Sequence, residues 1–347
     1  TGQSAHGRTI RRGARRRPAG RNHRAGAGSF VARMPSLTRR RVLLALPLLL
    51  AAVGAAAITP DRPRPALEAR WLAAAGDLRP IAGTTLHVRD TGPRDAPALV
   101  LLHGLGSSLH TWEPWAAALA DSFRVVRLDL PGHGLSGPDA TGDYRDARTH
   151  ALLAALLDSL GIARATFIGN SIGGRIAWGF AAAQPSRVER LVLLAPDGFA
   201  SPGFAYGRAP DIPVAFGAMR WVLPRAALRL NLAPAYADDG RLADSTVTRY
   251  HELLLAPGNR AALLERLRQT VLTDPVPRLR TIAAPTLLVW GASDRMIPPA
   301  NARDYLRVLP DARARVLPGL GHVPFEEDPA ASLAAVRPFL DSIPRLR

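Results

Sequence analysis

From Ile81 onward, short apolar runs alternate with longer amphipathic stretches, the pattern of a mostly parallel sheet covered by helices. The runs Ala98–Leu102, Phe123–Leu128, Ala165–Ile168, Val188–Leu194 and Thr286–Trp290 are predicted strands, and each stops at a cluster of Gly, Asn, Asp or Pro. Thr149–Leu160 and Arg175–Ala183 are predicted helices; the second ends at Gln184-Pro185 because proline cannot continue a helix. In sheets of this class ligands bind beyond the carboxyl ends of the strands, so the polar residues just after each strand are the ones to inspect.

The rhythm breaks between Phe199 and Pro277, where helical patches (Val214–Leu230, Arg260–Leu272) replace strands. The stretch carries Phe204, Tyr206, Phe216, Met219, Trp221, Tyr236 and Tyr250 and is predicted to be an inserted helical cap over residues 199–277. For any one of these side chains, packing within the cap is the default expectation over substrate contact. The core is then 81–198 together with 278–347.

The first 80 residues differ from all of this. Residues 1–33 are rich in Arg, Gly and Ala without periodicity and are expected to be disordered; translation from Met34 would make them a gene-start artefact. Residues 34–58 combine a basic start, Arg39-Arg40-Arg41, with the uncharged 17-residue run Val42–Ile58. Two fates fit. Ala55-Ala56-Ala57 satisfies the small-residue rule for a cleaved signal peptide, while 17 residues is the lower bound for a membrane anchor. Thr38-Arg39-Arg40-Arg41-Val42-Leu43 also resembles a twin-arginine export signal. Either fate implies export, to the periplasm, the exterior or the outer face of the membrane, with membrane contact through residues 42–58 if the run is retained. Residues 59–80 are expected to be a linker with a short helix near Ala66–Ala75.

Charge changes the picture less than its total suggests. The net charge is +17, but all 45 basic residues are Arg, and 12 precede Val42 where there is no acid. The remainder sets 33 Arg against 28 acidic residues, a net of +5, which is an ordinary surface and gives no ground for a nucleic-acid partner. With no Cys, a disulfide framework, a thiolate metal site and a Cys nucleophile are excluded. The few His are scattered without ligand spacing, and no Gly-Lys-Ser/Thr step follows the Gly-rich segments, so no metal or nucleotide cofactor is expected.

The chemistry gathers after the strands. Phe167-Ile168-Gly169-Asn170-Ser171-Ile172-Gly173-Gly174 sets Ser171 between a strand and a helix in a Gly-x-Ser-x-Gly frame. A sharp turn there presents a nucleophile clear of the sheet and tolerates only small neighbours at Gly169 and Gly173. The Ile172 N–H then heads a helix whose dipole favours developing negative charge. Leu102-His103-Gly104-Leu105-Gly106 follows the first strong strand, and the Leu105 N–H is the expected second oxyanion donor, with His103 fixing the loop. Asp294 follows a late strand, and His322 sits in a loop 28 residues later. The order Ser171, Asp294, His322 is that of a nucleophile-acid-base triad.

These motifs together resemble the α/β-hydrolase superfamily, over roughly Ile81–Leu340. Two further segments are similar to it: Asp129-Leu130-Pro131-Gly132-His133-Gly134-Leu135-Ser136, expected to be structural with His133 a candidate to line the pocket, and Gly321-His322-Val323-Pro324-Phe325-Glu326-Glu327. The resemblance implies a mostly parallel eight-stranded sheet. It also leaves a second candidate acid, Asp197, which follows the sixth strand; Asp294 is favoured because its flanks match the commoner arrangement.

A Ser at the elbow resembles esterases, lipases and carbon–carbon hydrolases, and not the dehalogenases and epoxide hydrolases that carry Asp there. The leading expectation is a serine esterase or lipase acting on a small-molecule ester or lipid. The alternative is a carbon–carbon hydrolase of ring meta-cleavage products, which Gly-Asn-Ser-x-Gly-Gly also resembles. A non-catalytic ligand-binding protein of the same fold is disfavoured by the retention of all three triad residues.

Overall fold

The structure is a computed structural model that describes residues 58–201 and 204–343. The segments assigned above to 1–33 and to the leader or anchor before Ile58 lie outside the described residues.

Eight strands form one sheet in the order β1-β2-β4-β3-β5-β6-β7-β8. They are β1 Leu78–Ile81, β2 Thr84–Thr91, β3 Ala98–Leu102, β4 Arg124–Leu128, β5 Ala165–Asn170, β6 Val188–Leu194, β7 Thr286–Gly291 and β8 Ala312–Leu317. β1 pairs antiparallel with β2 and β2 with β4; β3 to β8 run parallel. The central strands are unbroken apolar runs because both faces are covered. In β3, Val100 and Leu102 pack into one core and Leu99 and Leu101 into the other. Phe167 and Ile168 of β5 divide between the same two cores, as a side-chain period of two requires.

The helices are α1 Arg64–Trp71, α2 Glu113–Leu119, α3 Asp146–Ser159 and α4 Ile172–Ala183, then α5 Val214–Gly217, α6 Arg225–Leu232, α7 Asp244–Leu254, α8 Asn259–Gln269 and α9 Val276–Leu279, and finally α10 Ala302–Val308, α11 Pro324–Glu327 and α12 Pro329–Asp341. α4 is buried almost all round, with Ile172, Ile176 and Phe180 stacked four residues apart, so it behaves as a core helix instead of an amphipathic one. α5 to α9 occupy the long connection between β6 and β7. The helical patch expected over Val214–Leu230 is three pieces, because Pro224 interrupts it before α6 begins.

Three strands escaped the sequence pattern. β1 begins at Leu78, inside the stretch expected to be a linker, and β2 carries Thr, His, Arg and Asp among its apolar positions. β8 is an edge strand in which exposed Arg313 and Arg315 alternate with half-buried Ala, so its apolar signal is weak.

Candidate active site

Three strand ends and one loop bring the sequence-selected residues together. Ser171 follows β5 and precedes α4 with φ 55° and ψ −121°, a conformation that non-glycine residues rarely adopt. The surroundings hold it there. Its N–H donates to Leu194 O at 3.1 Å, and its carbonyl accepts from Arg175 N (3.1 Å) and Asp197 N (3.0 Å). A Cβ on Gly169 would stand 2.3 Å from Gly173 O, and one on Gly173 would stand 2.4 Å from Leu102 O. Only hydrogen fits at either position, which is the physical content of the Gly-x-Ser-x-Gly frame.

His322 and Asp294 form the second half. His322 Nδ1 lies 2.8 Å from Asp294 Oδ2, and both side chains are buried. The other carboxylate oxygen of Asp294 accepts from Met296 N (2.8 Å) and Ile297 N (2.9 Å), which fixes its plane. A carboxylate can only accept, so the ring carries its proton on Nδ1 and leaves Nε2 with a free lone pair. Asp197 is engaged elsewhere: its Oδ2 lies 2.9 Å from Arg175 NH1 in a buried ion pair. Burial pushes the Asp197 carboxyl up from its ordinary value, a trend that Arg175 opposes without cancelling.

Ser171 and His322 line one cavity of about 270 Å³ together with Gly104, Leu105 and Asn170. Among the described residues no hydrogen bond joins Ser171 Oγ to the imidazole; such bonds commonly tighten only when substrate fills the site. Ile172 is the first residue of α4, so its N–H has no acceptor within the helix. Leu105 follows β3 in the loop across the cavity. Gly104, just before it, approaches so closely that a Cβ would stand 2.9 Å from Asn170 Oδ1 and 3.4 Å from Ser171 Cβ.

His103 holds that loop, as expected, and the structure shows how. Its Nε2 accepts from Leu130 N at 3.0 Å, which leaves Nδ1–H to donate to Gly104 O at 2.7 Å. That carbonyl and the Leu105 N–H belong to the same peptide plane, so the imidazole orients the amide. Burial holds His103 below its ordinary pKa, which keeps it neutral as this arrangement requires.

His133 does not line the cavity: it is buried beneath the loop, with Nδ1 at 3.1 Å from Pro131 O. Of the aromatics and Met expected in the insertion, Phe216, Met219 and Tyr250 line the cavity. Tyr236 is buried, donating to Glu326 Oε2 at 2.6 Å, and Tyr206 and Trp221 are exposed.

Sequence reading missed the braces around the His322 loop. Asn170 donates from one amide nitrogen to Leu194 O (3.1 Å) and His322 O (3.0 Å), tying the nucleophile strand to the imidazole loop. Glu327 accepts from Gly321 N at 2.6 Å and Ala237 N at 3.0 Å, and His322 N donates to Ala235 O at 2.7 Å, so the insertion seats the loop. Glu326 pairs with Arg249 of α7 and accepts from Thr111. The run His322-x-x-x-Glu326-Glu327 was the available signal, but nothing local says which backbone amides two glutamates will meet.

A family model described as the alpha/beta hydrolase fold matches residues 97–329. An uncharacterized protein of Mycobacterium tuberculosis is 32% identical over 292 residues, 76% of this chain and 84% of that relative. The 2-hydroxy-6-oxononadienedioate/2-hydroxy-6-oxononatrienedioate hydrolase of Cupriavidus pinatubonensis is 31% identical over 252 residues, 68% of this chain and 84% of its own length. Among solved structures, a membrane phospholipase A described as a bacterial virulence factor superposes with a TM-score of 0.64 at 25% identity, covering 87% of this chain and 98% of that one.

Proposed function

The chain belongs to the α/β-hydrolase fold family, and on that premise we propose that it is a serine hydrolase cleaving carboxylic esters of apolar acyl groups through an acyl-Ser171 intermediate. Ser171 Oγ attacks the ester carbonyl as His322 Nε2 takes its proton, and Asp294 stabilises the imidazolium so formed. The Leu105 and Ile172 N–H groups receive the oxyanion of the tetrahedral intermediate. On collapse the carbon–oxygen ester bond breaks, and His322 returns its proton to the departing alcohol. Water then attacks the acyl-Ser171 carbonyl, giving its proton to His322, and the carboxylic acid leaves as Ser171 is reprotonated.

The observation that carries the ester reading over its rival is the lining of the cavity. In a chain with 45 Arg, none lines it among the described residues; the walls are Phe216, Met219, Leu228, Leu232, Leu254, Leu263 and their neighbours. Such walls suit an uncharged acyl chain. A dicarboxylate, which the Cupriavidus relative's name specifies, would bury its negative charge there without a cation, at a cost of several kcal/mol. The resemblance to a membrane phospholipase A supports the same choice. The Gly-Asn-Ser-x-Gly-Gly run and the Cupriavidus relative favour the carbon–carbon hydrolase as the second reading.

Parallel assays on p-nitrophenyl esters of increasing chain length and on a 2-hydroxy-6-oxo-dienoate separate the two. The ester reading expects turnover of the esters at least about 100-fold above the dienoate in kcat/KM, since each 1.4 kcal/mol is tenfold. The reverse preference would establish the second reading. The basic-then-apolar run over residues 34–58 supports delivery outside the cytoplasm, with cell fractionation as its test; among the described residues no helix is long and apolar enough to cross a membrane.

A further inference from the structure

The insertion between β6 and β7 has a second face. In α6, Leu228 and Leu232 line the cavity one turn apart, and Leu230 between them is 76% exposed, on the opposite side of the helix. The same alternation holds upstream: Phe216 and Met219 face the cavity, while Val214 and Trp221, each two residues away, are 91% and 58% exposed. Exposed large apolar side chains are concentrated here. Of nine among the described residues, five lie in 199–277, and Met296 is on the cavity wall. Scattered single exposures are normal, but a concentration over a binding cavity calls for a partner.

A strap from the N-terminal side indicates which partner. Thr59 N donates to Trp221 O at 2.8 Å, and Leu223 N donates to Thr59 Oγ1 at 3.0 Å. Further along, Asp61 accepts from Arg260 (2.6 Å), Arg62 N donates to Leu255 O (2.8 Å) and Trp71 Nε1 donates to Glu252 (3.0 Å). Residues 59–71 therefore run along the insertion, and also meet the core where Arg64 donates to Leu135 O (2.6 Å) and Arg89 of β2 donates to Trp71 O (3.4 Å). In the sequence the uncharged run Val42–Ile58 ends where this strap begins, and Ile58, itself 54% exposed, is next to Thr59 at the Trp221 carbonyl. The Arg220 guanidinium lies 5.7 Å from the Trp221 ring centroid, placing a cation beside an amphipathic aromatic. That pairing is characteristic of side chains that settle at the headgroup level of a bilayer.

We infer that the outer face of the insertion, carrying Val214, Trp221 and Leu230, docks on a phospholipid bilayer and is held there by the strap that continues from the apolar run 42–58. The Ser171 cavity lies on the inner side of the same helices, so docking sets the substrate chamber against the lipid phase. The contact residues lie outside the cavity, and the docking itself does not rest on the ester reading.

The test uses the full chain reconstituted in phosphatidylcholine–phosphatidylglycerol vesicles whose acyl chains carry bromine, a contact quencher of tryptophan. Trp112, Trp115, Trp178 and Trp290 are buried and Trp71 is half-buried, so Trp221 is the most exposed of the six, and its own share of the quenching is read from the difference between wild type and Trp221→Phe. The wild type is expected to lose a larger fraction of its emission than Trp221→Phe, and equal losses would overturn the inference. A second arm pairs Val214→Glu with Leu230→Glu, both at exposed positions where folding is not at stake. Hydrolysis of p-nitrophenyl laurate dissolved in vesicles should fall about tenfold or more, with p-nitrophenyl butyrate in solution unchanged. No change in either, or equal loss in both, contradicts docking. Quenching requires no turnover, so a protein that docks without cleaving esters separates failure of the proposed function from failure of this inference. If quenching is equal and the glutamate pair instead splits a dimer, the face belongs to a second copy and the inference is overturned.

Discussion

Nδ1 of His322 stands 2.8 Å from Oδ2 of Asp294, whereas Asp197, the other acid at a strand end, gives its carboxylate to Arg175. The two aspartates therefore respond differently to the same substitution. Asp294→Asn should lower kcat on the order of 10⁴-fold, because the amide stabilises the wrong imidazole tautomer and no imidazolium. Asp197→Asn should act on stability, since it weakens the pairing of a buried guanidinium that retains Asp146 at 3.1 Å. Measuring kcat and Tm for both variants checks the assignment; a larger loss of kcat from Asp197→Asn would reverse it.

His103 is predicted to matter without touching substrate. His103→Ala removes the donor to Gly104 O and the acceptor of Leu130 N, freeing the peptide plane that carries the Leu105 N–H. Losing an oxyanion donor outright costs about 10²–10³ in kcat, so loosening one should cost about 10 to 100-fold. KM for a short ester should change little, and a rise in KM at constant kcat would contradict the orienting role.

Asn170→Ala should lower both stability and turnover. It strands the His322 carbonyl in a buried setting, at about 1–3 kcal/mol for the unsatisfied group, while Leu194 O keeps the Ser171 N–H. It also releases the imidazole loop from β5. Urea unfolding and kcat at saturating ester would be compared; an unchanged kcat in a destabilised protein would show that the loop is held by Glu327 and Ala235 alone.

Much of this site was legible from sequence because its chemistry is local. The elbow needs hydrogen-sized neighbours at Gly169 and Gly173, and the strands that deliver Ser171 and Asp294 are buried on both faces, hence unbroken apolar runs. The braces were not legible, because they are long-range pairings: Asn170 to His322 O, Glu327 to Ala237 N, the strap to Glu252. β8 escaped for a related reason, since an edge strand need not be apolar. The strap escaped because its Pro- and Arg-rich composition resembles a linker, and only the tertiary structure gives its polar groups partners in the insertion.

Acid should destabilise the fold through its buried imidazoles. Burial, opposed by Asp129, pushes His110 down to about 4 from 6.5. Above pH 6.5 neither folded nor unfolded chain carries this proton, and the contribution is nil. Between 6.5 and 4 the unfolded chain binds it and the folded chain does not, so stability falls with pH, by about 3 kcal/mol over that window for this group. Burial shifts His103, His133 and His150 in the same direction. His110→Gln should therefore lose less stability than the wild type between pH 7 and pH 4.5 in urea titrations, with the other three imidazoles contributing to the remaining loss. Identical losses would contradict the assignment.

Catalysis depends on Ser171, strained at φ 55°, being activated by an imidazole that lines the same cavity. Incubation with a fluorophosphonate, followed by peptide mass mapping, tests this directly. One adduct is expected, on Ser171, absent in Ser171→Ala and formed much more slowly in His322→Gln. Folded protein that stays unmodified, or an adduct on another serine, would contradict it.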